Sequence, residues 1–182
     1  LKISQPTLSR ALATLEPELV RIGAARSIQY ALRDGSRAAL DAPIYRVDTA
    51  GRVGALGRLV AVRAEGFVMQ QTDGKALHSE GLPWWLYDMR PQGYLGRAFC
   101  RSHGGALALP ENLSFWGDSH VLQALQQHGA DLAGNLLVGE RALQQFMNSP
   151  PAEAIAAADR PAHYSALAAA AARGEVAGSS AA

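Results

Sequence analysis

Cysteine is the scarcest reactive residue in this sequence. Cys100 is the single cysteine among 182 residues, so the chain cannot form an internal disulfide. Long hydrophobic runs are also missing: no stretch of about 18 apolar residues could cross a bilayer, and the first residues lack the pattern of a secretory leader. Because 48% of the residues are hydrophobic, the chain can still bury the core of one domain or two small ones. We therefore expect a cytoplasmic protein with no membrane association.

Charged residues make up only 18% of the chain and nearly cancel, to a net charge of +1. The whole sequence therefore lacks the basic excess that is typical of proteins binding nucleic acid. The distribution of charge is more informative. Residues 1–37 carry six basic and three acidic residues, whereas the remainder carries eleven basic and thirteen acidic residues. A basic N-terminal segment followed by a slightly acidic remainder weakly favours nucleic-acid binding by residues 1–37.

The first segment with a clear pattern is ISQPTLSRALATL, residues 3–15, which predicts a short amphipathic helix. Ser4 can cap this helix with its hydroxyl group, and Pro6 suits the first turn, where its missing N–H costs nothing. The apolar face consists of Leu8, Leu12 and Leu15. The opposite face is small, polar and basic, which suits entry into the major groove of DNA.

A β-hairpin is predicted next, because residues 19–23 and 27–32 both alternate apolar with polar or basic residues. A helix followed by a hairpin with basic residues near its tip is the order of a winged helix-turn-helix, in which the wing touches the DNA backbone. The helix segment resembles the turn and recognition helix of bacterial winged helix-turn-helix proteins. We predict that double-stranded DNA is contacted by Gln5, Pro6, Thr7, Ser9, Arg10, Arg21 and Arg26. The alternative is an ordinary amphipathic helix packed on a core.

Two domains are predicted. Residues 1–37 form a partial winged helix-turn-helix, because the first helix of that motif and most of its second helix have no counterpart before Leu1. We therefore expect the chain to be a piece of a longer parent protein. A connector of small residues at 35–43 then leads to a second domain, residues 44–182.

The second domain has the pattern of an α+β fold. Residues 44–48 and 53–71 are rich in valine and alternate, and TDGK at 72–75 is a turn, so an antiparallel sheet with one buried face is predicted. Helices are predicted around residues 120–129 and 139–147. The alanine-rich residues 152–175 predict two further helices split at Pro161.

Three segments of this domain are similar to a known family: IYRVDTAGRVGALGRL, LPWWLYDMRPQGYLGRAF and GNLLVGERALQQF. Together they resemble the N-terminal lobe of HipA-family serine/threonine kinases, and in particular the YjjJ-like toxin subgroup, which carries its own winged helix before that lobe. The positions that match the family pattern are Val53, Gly54, Leu56, Pro83, Pro91, Gly93, Gly96 and Arg97. The resemblance implies a kinase core downstream of this chain, so we assign no catalytic residue within it.

The end of the chain, EVAGSSAA, resembles the beginning of the glycine- and serine-rich loop that lies near the ATP phosphates in HipA-like kinases. Gly178, Ser179 and Ser180 match the first half of that loop. The alternative is a polar tail that merely ends the chain. We expect no cofactor in this chain, while the resemblance implies ATP and Mg for the intact parent.

Two other groups of residues could be mistaken for sites. Cys100, His103, His120 and His128 include one pair with metal-ligand spacing, but a closed zinc site needs four suitably placed ligands, so no metal site is predicted. Trp84, Trp85 and Tyr87 could stack on a ring, but adjacent aromatic residues beside leucines favour a place in the core.

The sequence thus predicts the DNA-binding and regulatory N-terminal portion of a HipA-like serine/threonine kinase toxin. The expected partners are double-stranded DNA, a protein substrate of the intact kinase and an antitoxin. The alternative is a winged-helix transcription regulator that performs no chemistry and whose body senses a ligand or a partner.

Overall fold

The computed structural model describes residues 4–23, 27–150 and 155–173. The α-helices in these residues are α1 (Gln5–Thr14), α2 (Gly93–His103), α3 (Asp118–His128), α4 (Gly139–Asn148) and α5 (Arg160–Ala172). The strands are β1 (Leu19–Ile22), β2 (Gln29–Leu32), β3 (Ala42–Val47), β4 (Val53–Val62), β5 (Gly66–Gln71), β6 (Ala76–Ser79) and β7 (Leu136–Val138). The predicted α+β class, with an antiparallel sheet and several helices, is confirmed.

The chain is divided into two compact units. Unit 1 combines Leu1–Ile44 with Ala55–Trp84, and unit 2 combines Tyr45–Gly54 with Trp85–Ala182. A compact unit is not necessarily a segment that folds alone, so the predicted domains at 1–37 and 44–182 stay a prediction.

Unit 1 is built on antiparallel strands. Strands β4 and β5 pair with Leu59 opposite Met69, and β5 pairs in turn with β6. The predicted hairpin is present as β1 and β2, which pair with Leu19 opposite Leu32. Val20 of this hairpin packs against valines of β4 and β5, so the hairpin and the longer strands share one apolar cluster. Strand β6 was not predicted, because its four residues are too few for a clear alternation.

The segment predicted as a small-residue connector is ordered. Its first part forms a 3-10 helix, Gly35–Leu40, and its last residues, Ala42 and Pro43, already belong to β3. The carboxylate of Asp41 accepts a hydrogen bond from the Ala61 N–H at 2.8 Å. The abundance of small residues did not predict the structure of this segment, because long-range hydrogen bonds fix its backbone.

Unit 2 packs helices around a short strand. The second half of β3 lies beside β7, where the Val47 N–H donates to the Asn135 carbonyl at 2.8 Å. Helices α3 and α4, both predicted, pack together through buried residues that include Leu122, Leu125 and Ala142.

Helix α2 was not predicted, because Pro91 and the glycines at 93 and 96 obscure its pattern. A Cβ at position 96 would come within 2.5 Å of the Pro91 carbonyl carbon, so glycine is required for the close approach of α2 to that segment. Cys100 and Ala98 are buried on the inner side of the helix. Tertiary contact therefore outweighs the low helix propensity of glycine.

The prediction of two helices split at Pro161 is wrong for the described residues. Pro161 lies in the first turn of α5, and residues 155–159 before it are not helical. Proline fits the first turn because the N–H that it lacks would have no partner there, so Pro161 begins a helix instead of dividing one. Residues 152–154 and 174–175 of that prediction lie outside the described residues.

Candidate functional site

The predicted DNA-contacting residues within residues 3–15 all lie on α1. The exposed positions include Gln5, Pro6, Thr7, Ser9 and Arg10. The helix begins where predicted, but its capping differs. The hydroxyl of Ser4 lies 2.8 Å from the hydroxyl of Thr7 and makes no hydrogen bond to a backbone N–H.

The leucine face of α1 is only partly covered. Leu8 and Leu15 keep 49% and 43% of their surface exposed, and Leu12 is half-buried. No described residue of α1 is buried. Both predictions for α1, a recognition helix and an amphipathic helix packed on a core, need a partner for this leucine face, so both stay predictions.

The hairpin presents a basic side chain on its outer face. Arg21 is exposed and pairs across the hairpin with Tyr30, while its neighbour Val20 is buried. Alternation along β1 thus separates an apolar inner side from a basic outer side. The other predicted contact of the hairpin, Arg26, lies outside the described residues, and so do Gly178, Ser179 and Ser180 of the predicted ATP loop.

Unit 2 contains a second candidate site, a cavity of about 610 Å³. Residues lining it include Tyr87, Asp88, Arg90, Arg97, Asn112 and Trp116. Arg90 lies 3.8 Å from the carboxylate of Asp118. Arg97 is exposed, and its guanidinium makes no ion pair within the part of the chain that the structure describes.

The most specific family segment, DMRPQGYLGRAF, builds much of this cavity. Pro91, Gly93 and Arg97 line it, and Gly93 begins α2 with a φ of +62°, which only glycine adopts readily. The segment therefore bends sharply into α2 and places Arg97 about one turn further along the helix. The sequence identified the segment but did not predict the cavity, because the facing wall comes from residues 112–116.

A phenol–carboxylate contact joins β3 to α4 in unit 2. The Tyr45 hydroxyl donates a 2.6 Å hydrogen bond to Oε1 of Glu140. The carboxylate stabilises the protonated phenol, which raises the pKa of Tyr45 to about 12. Tyr45 therefore stays protonated at physiological pH, and its hydroxyl keeps donating to Glu140.

The cysteine and histidines that had metal-like spacing have other partners. The Cys100 thiol donates to the Glu111 carbonyl at 3.2 Å, and burial raises the pKa of this thiol. His120 accepts a 3.1 Å hydrogen bond from the Gly117 N–H at the start of α3. The rings of His103 and His128 stack with centroids 4.1 Å apart. Among residues 4–23, 27–150 and 155–173, no group of three or more metal-ligating side chains occurs.

The prediction that the aromatic residues at 84–87 lie in the core is wrong. Trp84 is 76% exposed, Tyr87 is exposed and Trp85 is half-buried, whereas Leu86 is fully buried. These residues form a 3-10 helix, Trp84–Met89, which directs few of its side chains inward. The short 3-10 turn was not visible in the sequence pattern.

Comparison with protein families gives a decisive match in the region of the cavity. A family described as "YjjJ-like toxin, middle domain" matches residues 38–147, more than half of the chain. The chain belongs to the YjjJ-like toxin family. Toxin YjjJ of Escherichia coli (strain K12) is a relative with 36% identity over 182 residues, which is all of this chain and 41% of that protein. No solved structure matches the chain significantly.

The family match covers the two candidate sites unequally. Residues 38–147 include every residue that lines the cavity, but they exclude α1 and the hairpin. The chain also spans only 41% of the length of its E. coli relative. No helix in the described part of the chain is both long and apolar enough to span a membrane.

Proposed function

We propose that this chain is the DNA-binding and regulatory portion of a HipA-like serine/threonine kinase toxin. In this proposal α1 and the hairpin form a partial winged helix-turn-helix that binds double-stranded DNA. The remaining residues form one lobe of the kinase, whose catalytic core, ATP and Mg belong to the intact parent. The toxin role is proposed from the printed name of the family and of the E. coli relative.

The observation that carries the DNA-binding proposal is the exposed face of α1. This face presents short polar side chains and Arg10, and the chain then continues through a 3-10 turn, Glu16–Glu18, into the hairpin. Small side chains allow a helix to approach base edges, while a guanidinium can form two hydrogen bonds to guanine or phosphate. Arg21, on the outer side of β1, is placed in the segment that would follow the DNA backbone.

The test is duplex binding by the intact parent, measured by fluorescence anisotropy. Arg10→Ala should weaken binding at least about tenfold at every salt concentration, because it removes a charged contact without changing the buried core. Arg58→Ala is the matched control, since Arg58 is also exposed and lies in unit 1, but on β4. Equal effects of the two substitutions would contradict a specific role for α1.

A second function is favoured by the cavity of unit 2. A non-enzymatic transcription regulator needs a place where a ligand or partner is sensed, and a cavity of about 610 Å³ has the size of a small-molecule site. Incubating the intact parent with ATP, Mg and a general protein substrate separates the two proposals. Phosphate transfer supports the kinase, whereas DNA binding that responds to a small molecule without phosphate transfer supports the regulator.

A further inference from the structure

We propose that the cavity around Arg97 binds a small organic phosphate, a phosphate monoester attached to a ring. This inference goes beyond DNA binding and phosphate transfer, because it concerns a separate site in unit 2 and needs neither α1 nor a kinase core. It rests on four properties of the cavity: its volume, the state of its cations, a neutral hydrogen-bond donor and the character of its walls.

The volume of this cavity, which is open to solvent, sets an upper bound on the size of the ligand. The cavity measures about 610 Å³, within the range of about 300–1,000 Å³ that is typical of sites for small molecules. An inorganic phosphate ion would fill only a small part of this space. A ligand that uses the cavity well therefore carries an organic group as well as its charge.

One cation of the cavity has no ion-pair partner among the described residues. Of the two arginines that line the cavity, Arg90 is already near Asp118, at 3.8 Å. Arg97 has no carboxylate within ion-pair distance among the described residues. Its planar guanidinium can donate two parallel hydrogen bonds to the oxygens of one phosphate group. Asp88 also lines the cavity, and its negative charge opposes this attraction.

A neutral hydrogen-bond donor, the Asn112 amide, also lines the cavity. Oδ1 of Asn112 accepts hydrogen bonds from the Ser114 hydroxyl at 2.7 Å and from the Ser114 N–H at 2.9 Å. These bonds fix the orientation of the amide, whose NH₂ group has no acceptor among the described residues. Asn112 can therefore donate to a third phosphate oxygen or to a ring substituent.

Other residues that line the cavity are aromatic or apolar. The Trp116 Nε1–H donates to the Pro110 carbonyl at 2.8 Å and the side chain is buried, so the small part of the indole that lines the cavity is apolar. Tyr87, which is half-exposed, adds an aromatic surface, and Leu113 adds an aliphatic one. Aromatic walls beside a guanidinium suit a ligand that joins a ring to an oxyanion.

The test uses three probes with the 182-residue chain: phenyl phosphate, inorganic phosphate and benzyl alcohol. Calorimetric titration should show that phenyl phosphate binds more tightly than inorganic phosphate and that benzyl alcohol does not bind measurably. Arg97→Gln should weaken phenyl phosphate binding at least about tenfold, because a charge-assisted pair of hydrogen bonds is lost. Asp88→Asn should strengthen binding, because it removes the opposing charge.

Arg141→Gln is the matched control, since Arg141 is an exposed arginine of unit 2 that lies on α4 and does not line this cavity. It should change the affinity less than about twofold. Arg97→Lys provides a second variant, because it keeps the positive charge but lacks the planar guanidinium. It should bind phenyl phosphate with intermediate affinity. Equal losses for Arg97→Gln and Arg141→Gln, or equal affinities for phenyl and inorganic phosphate, would overturn the proposal.

The outcome is separable from the DNA-binding proposal. Arg10→Ala should leave phenyl phosphate binding unchanged, and Arg97→Gln should leave duplex binding by the intact parent unchanged. A loss of phenyl phosphate binding in Arg10→Ala would show that the ligand occupies the DNA-binding surface, and would refute the cavity as its site.

Discussion

The guanidinium of Arg37 donates a 2.6 Å hydrogen bond to the carbonyl oxygen of Val62, at the end of β4. The same Nη2 atom lies 3.2 Å from the carbonyl of Gly66, at the start of β5, and Nε donates to the Asp34 carboxylate at 2.8 Å. The guanidinium also lies over the ring of Phe67. One side chain therefore fixes the turn between β4 and β5 to the 3-10 helix Gly35–Leu40.

Arg37→Ala should destabilise the fold by about 2–4 kcal/mol, because it removes a donor from two carbonyls and from Oδ2 of Asp34, whose Oδ1 keeps its hydrogen bonds from Ser36. Urea unfolding measures this as a lower midpoint. Arg52→Ala is a matched control: Arg52 also pairs with an aspartate, Asp48, at 2.8 Å, but its side chain is 83% exposed, against 17% for Arg37. An exposed pair of this kind contributes little. Equal midpoints for the two variants would show that Arg37 is not a structural clamp.

Stability should fall in mild acid because of His128. Burial, the nearby His103 and Arg141 lower the pKa of His128 below its usual 6.5, so the folded protein binds this proton less readily than the unfolded chain. The contribution of His128 is thus complete above pH 6.5 and is lost as the pH falls through the folded pKa. Urea unfolding between about pH 5 and 8 should show that the free energy of unfolding decreases as the pH falls. This pH dependence should become weaker in His128→Gln. It should persist in the control His163→Gln, which changes an exposed residue of α5.

The hairpin should contribute a salt-dependent part of DNA binding by the intact parent. Arg21→Ala should lower the slope of log K against log salt by about one unit, which is the effect of one lost phosphate contact. The same result is expected for Arg26→Ala. Anisotropy titrations over a range of salt concentrations measure the slope. A change in affinity with an unchanged slope would place Arg21 away from the phosphates.

Nucleotide binding should require sequence beyond this chain. Residues 1–182 are expected neither to bind ATP–Mg tightly nor to phosphorylate a substrate, because a phosphate-binding loop needs its second half and a cation to hold the charge. The intact parent should do both. Calorimetry with ATP–Mg on each protein is the measurement, and micromolar binding by residues 1–182, or no binding by the parent, would refute the kinase proposal.

The sequence by itself determined the elements whose apolar spacing repeats over several residues. Helix α1, the hairpin, strands β3 to β5 and helices α3 and α4 all follow from such local patterns, because one face of each has to leave water. The family segment DMRPQGYLGRAF was also visible as a string of residues. These features depend on residues that are close together in the chain, so they can be predicted from the sequence alone.

Only the tertiary structure decided which distant residues meet. Arg37 lies in a segment of small residues, and its role depends on carbonyls 25 and 29 positions further along. The cavity exists because the turn before α2 faces residues 112–116, and the exposure of Trp84 depends on what packs beside it. Contacts at such separations arise from the packing of whole elements, whereas sequence periodicity records only which face of each element is apolar.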